Sequence, residues 1–173
     1  LRLYIGTGHV SGLVEADETF FRLSYKGNHS KSKGFTMPRK PNLRGPKSKK
    51  SKDEEPKPRG ISRNQVAVMC AIDRTGNIIS ELICNGRMKY KDVERLFKGR
   101  IEENSTLCID SHKSYIRLDN NFDVDIQKIE TGKFKKGIYH IQHINSYHSR
   151  LKKWMDNFNG VATKYLANYM YWF

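Results

Sequence analysis

Apolar residues are grouped along the chain in short runs whose spacing predicts strands first and helices later. The run at residues 13–23 has the length and composition of a buried strand. The runs at residues 65–73 and 78–84 are separated by a turn that contains Gly76 and Asn77, and this pattern predicts a hairpin. We expect these three strands to form an antiparallel sheet.

Helical and strand patterns alternate in the second half of the chain. Residues 89–101 carry apolar side chains at helical spacing, residues 105–110 form a short buried strand, and residues 122–129 alternate as an edge strand. A further helical stripe runs from residue 144 to residue 158. Thr163 is expected to cap a last helix.

The order of these elements predicts an α/β fold in which helices flank a mixed sheet. We expect residues 1–173 to form one domain, with a basic loop over residues 131–143 and a longer insertion at residues 26–63.

The insertion at residues 26–63 dominates the charge of the chain. It holds 13 Lys and Arg against three acids, a net +10 of the total +14, together with all five prolines. A segment with so few apolar residues cannot offset its ordering entropy, so we expect a solvated, flexible loop. The same charge also suits contact with a nucleic-acid backbone, and the two interpretations are compatible.

The cysteines and the hydropathy pattern indicate a cytoplasmic protein. Cys70, Cys84 and Cys108 lack the paired spacing of a zinc site, and we expect free structural thiols in a reducing compartment. No apolar run approaches the length of a membrane span, and no signal peptide is visible.

Acidic residues at strand positions are the candidates for chemistry. Asp17 and Glu18 lie within the first strand, and Asp110 ends a later one. If these strands are parallel neighbours, Asp17 and Asp110 lie side by side, and Asn145 on a covering helix can face them. Close carboxylates repel each other unless they share a divalent cation such as Mg²⁺. Taken singly, an aspartate after a strand is more often a turn acceptor, and Asn145 a helix cap.

Three blocks and a closing segment resemble the catalytic blocks of bacterial insertion-sequence transposases of the ISXO-like group. The resemblance spans nearly the whole chain except the insertion, and the blocks come in the family's order. They are Val14-Glu-Ala-Asp17-Glu-Thr-Phe, Ile109-Asp110-Ser-His-Lys-Ser-Tyr115, His140-x-x-His143-x-Asn145 followed by Lys152-Lys153, and Gly160-Val-x-Thr-Lys-Tyr-Leu-x-Asn-Tyr.

The resemblance implies a ribonuclease-H-like fold with a DDE-type catalytic site. Asp17 and Asp110 match the two aspartates, and Asn145 stands where most members of the wider family carry Glu. The three residues are then both the catalytic residues and the ligands of two Mg²⁺ or Mn²⁺ ions. An amide oxygen brings no charge, so we expect weaker binding of the second ion. Glu18 points to the opposite face if the strand is regular.

The resemblance also implies DNA contacts around this site. His140 and His143 are equally consistent with ordinary hydrogen-bonding loop residues, and Lys153 with a solvated side chain, whereas Lys152 is expected to contact a phosphate near the cleavage site. The candidates for DNA contact are Lys152, Lys153, His112, Lys113, His140, His143 and His148.

The activity implied by the resemblance is cleavage of transposon ends followed by strand transfer into target DNA. Such proteins act as homodimers or larger assemblies on DNA. For this chain the resemblance implies a prokaryotic cytoplasmic protein that associates with the nucleoid. Members usually carry an upstream zinc-ribbon or helix-turn-helix region, so we expect end recognition outside this sequence. Two alternatives stay open: a domesticated DNA-binding protein without catalysis, and a ribonuclease-H-like nuclease that cuts without joining.

Overall fold

The computed structural model describes residues 8–28, 34–36, 60–110, 115, 118, 122–130, 133 and 135–173. Most of the predicted insertion and the segment after Asp110 lie outside these described residues. The expected flexibility of the insertion therefore stays a prediction.

Five strands form one mixed sheet in the order β3-β2-β1-β4-β5. β1 pairs antiparallel with β2, and β2 with β3, whereas β4 lies parallel to β1 on its other side and β5 parallel to β4. The predicted ribonuclease-H-like α/β fold, with its first three strands antiparallel, is confirmed. The strands are β1 Leu13–Arg22, β2 Gln65–Asp73, β3 Ile78–Asn85, β4 Ser105–Asp110 and β5 Val124–Ile129.

In the described part of the chain, three α-helices pack against the sheet, and two of them begin or end differently from the prediction. They are α1 Tyr90–Phe97, α2 Gln142–Asp156 and α3 Leu166–Trp172. α1 ends four residues early because Gly99 adopts φ +69°, a left-handed conformation that stops a helix. Thr163 does not cap α3: its hydroxyl oxygen accepts a hydrogen bond from the amide of Ser24 at 2.8 Å.

The predicted loop at residues 131–143 contains a small hairpin instead. Its strands are β6 Lys135–Lys136 and β7 Tyr139–His140, and Gly137 occupies the turn with φ +64°. Two-residue strands are too short to produce an alternating pattern, which explains why the sequence did not indicate them.

Alternate residues of β1 face two different cores. Val14 and Ala16 pack with α1 and with inward residues of β4, such as Ile109. The opposite face of the sheet packs against the apolar stripes of α2 and α3. Because side chains alternate along a strand, Glu15 and Asp17 point to the α2 side.

Other predictions about the whole chain have simple outcomes. Cys70, Cys84 and Cys108 are free thiols, and burial raises the pKa of Cys70 to about 12. Within the described part of the chain, no helix has both the length and the apolar character needed to cross a membrane.

Candidate active site

The register of two parallel strands brings Asp17 and Asp110 together. Ala16 on β1 is aligned with Ile109 on β4, and both side chains lie in the α1-side core. The next residue on each strand is an aspartate, so both carboxylates point to the α2 side near the same end of the sheet. The juxtaposition expected from the sequence is therefore present.

Asp17 lies in an environment that opposes its negative charge. Its side chain is 18% exposed. Burial, followed by the charges of Glu18 and Asp110, raises the pKa of Asp17 from 3.8 to about 7. A backbone hydrogen bond and the more distant Lys152 lower it only in part. A nearby cation would remove this penalty.

Glu18 faces the other side of the sheet, as the alternation of β1 predicted. The hydroxyl of the fully buried Tyr115 donates a hydrogen bond to its carboxylate at 3.0 Å. Tyr115 belongs to the α1-side core. This contact directs the carboxylate of Glu18 towards the α1-side core, although Glu18 also borders the cavity beside Asp17 and its charge acts on Asp17.

One face of α2 lines a cavity of about 560 Å³ beside Asp17. Asn145, His148 and Lys152 follow each other at spacings of three and four residues, so they lie on one side of the helix. Asn145 and Lys152 are exposed, whereas His148 is 7% exposed. The cavity therefore combines a carboxylate, an amide, an imidazole and an ammonium group.

His148 on α2 lies close to Asp17. Its Nδ1 lies 3.7 Å from Oδ2 of Asp17. Burial and the charge of Lys152 lower the pKa of His148 to about 4, so the ring is neutral near pH 7.

A buried carboxylate that the sequence analysis did not single out holds the start of α2. Glu15 is 1% exposed, and its Oε2 accepts hydrogen bonds from the backbone amides of His143 at 2.8 Å and Ile144 at 3.1 Å. α2 has no acidic residue in its first turn and no side-chain cap of its own. Glu15 therefore supplies from β1 both the acceptors and the negative charge that a helix N-terminus favours.

Three basic side chains lie close to the other carboxylate oxygen of Glu15. Oε1 lies 3.1 Å from a guanidinium nitrogen of Arg74, 3.1 Å from Nδ1 of His140 and 2.8 Å from Nδ1 of His143. Arg74 reaches this position from the β2–β3 turn. His140 and His143, which were among the residues predicted to contact DNA, thus have an intramolecular partner. Their DNA contacts stay a prediction.

The turn that follows α2 is held by a residue located after β1. Nζ of Lys26 donates to the carbonyl oxygens of Phe158 at 3.2 Å, Asn159 at 3.3 Å and Gly160 at 2.8 Å. These residues come after Asp156, the last residue of α2. The segment after β1 is therefore tied to the turn after α2, whereas Glu15 contacts the start of the helix.

The residues around Asp17 fit a divalent cation. Two carboxylates and an amide oxygen are the ligand types that Mg²⁺ and Mn²⁺ accept. Two buried polar atoms, Oγ1 of Thr19 and Nε2 of His148, have no hydrogen-bond partner among the described residues, and both side chains line this cavity. Because the charge of Asp17 and these polar atoms are buried without compensation, a bound ion would stabilise this part of the cavity.

A second cluster can also be tested for metal binding. Ligand atoms of Glu15, His140 and His143 all lie within 4.8 Å of one another. The guanidinium of Arg74 already brings positive charge to the same carboxylate oxygen. We therefore interpret this cluster as a structural ion-pair network.

The remaining predicted DNA contacts have different positions. Lys153 is exposed on α2, and Lys152 lines the cavity. His112 and Lys113 lie outside the described residues.

Comparison with known proteins gives a family match and several distant structural matches, two of which follow. A family model described as an ISXO2-like transposase domain matches residues 9–173. A chain of the simian T-cell lymphotropic virus intasome in complex with PP2A regulatory subunit B56 gamma is 8% identical, with a TM-score of 0.49 over 96% of this chain and 49% of that chain. A chain of a pre-cleavage Mos1 transpososome is 13% identical, with a TM-score of 0.39 over 84% of this chain and 47% of that chain. This chain thus spans about half the length of each of those two chains. No curated protein matches it.

Proposed function

Because the chain belongs to the ISXO2-like transposase domain family, we propose that it is a metal-dependent catalytic domain that cuts transposon ends and joins them to target DNA. The observation that supports this most is the buried Asp17 beside Asp110 on parallel strands, with Asn145 lining the same cavity from α2.

Each side chain has a distinct role in this proposal. Asp17 and Asp110 would hold the divalent ions, and Asn145 would add a neutral oxygen from the helix. When bound, the two ions would activate the attacking oxygen and stabilise the leaving oxygen of a phosphodiester. Lys152 lies on the rim of the cavity, where its ammonium group pairs with a phosphate close to the scissile bond.

The surrounding charge supports a DNA substrate. The chain carries a net +14, and most of this excess lies in residues 26–63. We propose that this insertion, together with Lys153, His112 and Lys113, contacts the DNA backbone beyond the cavity. The family membership also leads us to propose a homodimer or larger assembly on DNA.

Replacement of Asp110 by Asn is expected to abolish cleavage of end DNA while leaving DNA binding intact. The substitution keeps the shape of the side chain but removes one of the two charges that hold the cation, so activity should fall by at least 100-fold, about 3 kcal/mol in the barrier. Labelled transposon-end DNA is incubated with the protein and Mg²⁺ or Mn²⁺, and nicked and joined products are separated on a denaturing gel. Circular dichroism confirms folding of the variant.

The two alternatives give different products in the same assay. Salt-sensitive DNA binding with no metal-dependent nicking by the wild type would indicate a DNA-binding protein without catalysis. Nicked DNA without joined products would indicate a nuclease. Cleavage that is unchanged in Asp110→Asn would show that the proposed site is wrong.

A further inference from the structure

His148 faces the carboxylate that the proposed function assigns to the cation, so any role of its ring at the ion rests on that function. Its Nδ1 lies 3.7 Å from Oδ2 of Asp17, which is beyond hydrogen-bond range. Two atoms that bind the same divalent ion at about 2.1 Å each lie roughly 3.0 to 3.4 Å apart. The observed separation is closer to that of two ligands than to that of a hydrogen-bonded pair.

The other ring nitrogen, Nε2, does not face Asp17, but it shows that a histidine is costly at this position. Nε2 is buried and has no hydrogen-bond partner in the described part of the chain. An unsatisfied buried polar atom costs about 1–3 kcal/mol. Ile144 and Leu151, on the same buried side of α2, fill space without that cost. A residue that only packed would therefore be better replaced by an apolar side chain.

We propose that His148 is a nitrogen ligand of the cation held by Asp17, and that this ligand shifts the site's preference from Mg²⁺ towards transition-metal ions such as Mn²⁺. Mg²⁺ is a hard ion that favours oxygen, whereas imidazole favours transition metals. Asn145 lies one turn earlier on the same side of α2 and is uncharged. Asn145 and His148 would therefore be two neutral ligands from α2, and neither brings the negative charge that would favour Mg²⁺.

Calorimetric titration of the full chain with MnCl₂ and MgCl₂ tests this assignment. We expect His148→Gln to weaken Mn²⁺ binding about tenfold or more and Mg²⁺ binding much less. His148→Glu should recover affinity and favour Mg²⁺. Asp17→Asn should lose both ions, and His9→Gln, at an exposed position lining a different cavity, should bind as the wild type does. Circular dichroism of each metal-free variant verifies folding.

Pulsed electron paramagnetic resonance of the Mn²⁺-loaded protein adds a signature that a packing role would not produce. A directly coordinated imidazole gives ¹⁴N coupling, which should be present in the wild type and absent in His148→Gln. Coupling that persists in His148→Gln but disappears in His143→Gln would place the ion at the Glu15 cluster and overturn the assignment.

The binding data also separate failure of this inference from failure of the proposed function. If His148→Gln binds Mn²⁺ as tightly as the wild type while Asp17→Asn does not, His148 is not a ligand and the proposed function stands. A wild-type protein that binds neither ion would overturn both.

Discussion

Asp17→Asn is expected to make the metal-free protein more stable at pH 8 and to abolish its cleavage activity. Burial, Glu18 and Asp110 raise the pKa of Asp17 to about 7, so the ionised carboxylate opposes folding above that pH. Each pKa unit corresponds to about 1.4 kcal/mol, and the neutral amide should therefore stabilise the folded state by roughly 2–4 kcal/mol. Urea denaturation at pH 8 in EDTA measures the difference.

The pH dependence of this effect has a defined sign. The folded-state pKa lies above the unfolded value of 3.8, so the folded protein binds the proton more tightly. The contribution of Asp17 to stability is full below about pH 4 and is lost as the pH rises to about 7. The advantage of Asp17→Asn should therefore vanish near pH 4. Mg²⁺ or Mn²⁺ at pH 8 should stabilise the wild type and not the variant. A less stable Asp17→Asn protein at pH 8 would contradict this account.

Glu15→Gln is expected to have the opposite effect on stability, although Glu15 lies two residues away on the same face of the same strand. Its carboxylate accepts two amides at the start of α2 and contacts Arg74. Removal of one member of a buried, hydrogen-bonded ion pair costs about 3–5 kcal/mol, and Gln retains part of the hydrogen bonding. We therefore expect a loss of about 2–4 kcal/mol, measured by urea denaturation at pH 7.

Asp17→Asn and Glu15→Gln are a matched pair of isosteric substitutions. They distinguish a carboxylate whose charge destabilises the fold from one whose charge stabilises it. Glu15→Gln should also reduce cleavage, because α2 loses the contact that aligns Asn145 with Asp17. Arg74→Met, which removes only one exposed partner of Glu15, should destabilise less. Equal stability of Glu15→Gln and the wild type would show that the carboxylate does not hold α2.

The sequence predicted those parts of the molecule that depend on local pattern. The apolar runs of β1, β2 and β3, the Gly76-Asn77 turn between β2 and β3, and the helical stripe of α2 could all be recognised from the local sequence. The parallel pairing of β1 with β4 placed Asp17 beside Asp110, as expected. The side to which Glu18 points could also be predicted from alternation alone.

The parts that were missed depend on contacts between distant segments. Glu15 stood in the first quoted block without a role, since its partners at residues 143 and 144 lie 128 and 129 positions away. The absence of an acidic residue in the first turn of α2 was the available signal. Thr163 looked like a helix cap, but its hydroxyl is used by Ser24 on another segment.

A crystal structure of the Mn²⁺-loaded protein, with anomalous scattering data collected at the manganese edge, would locate the bound ion. We expect an anomalous peak between Asp17 and Asp110, with Asn145 facing it from α2, and no peak in Asp17→Asn crystals. An ion bound only by Glu15, His140 and His143, or an unchanged peak in Asp17→Asn, would contradict this expectation.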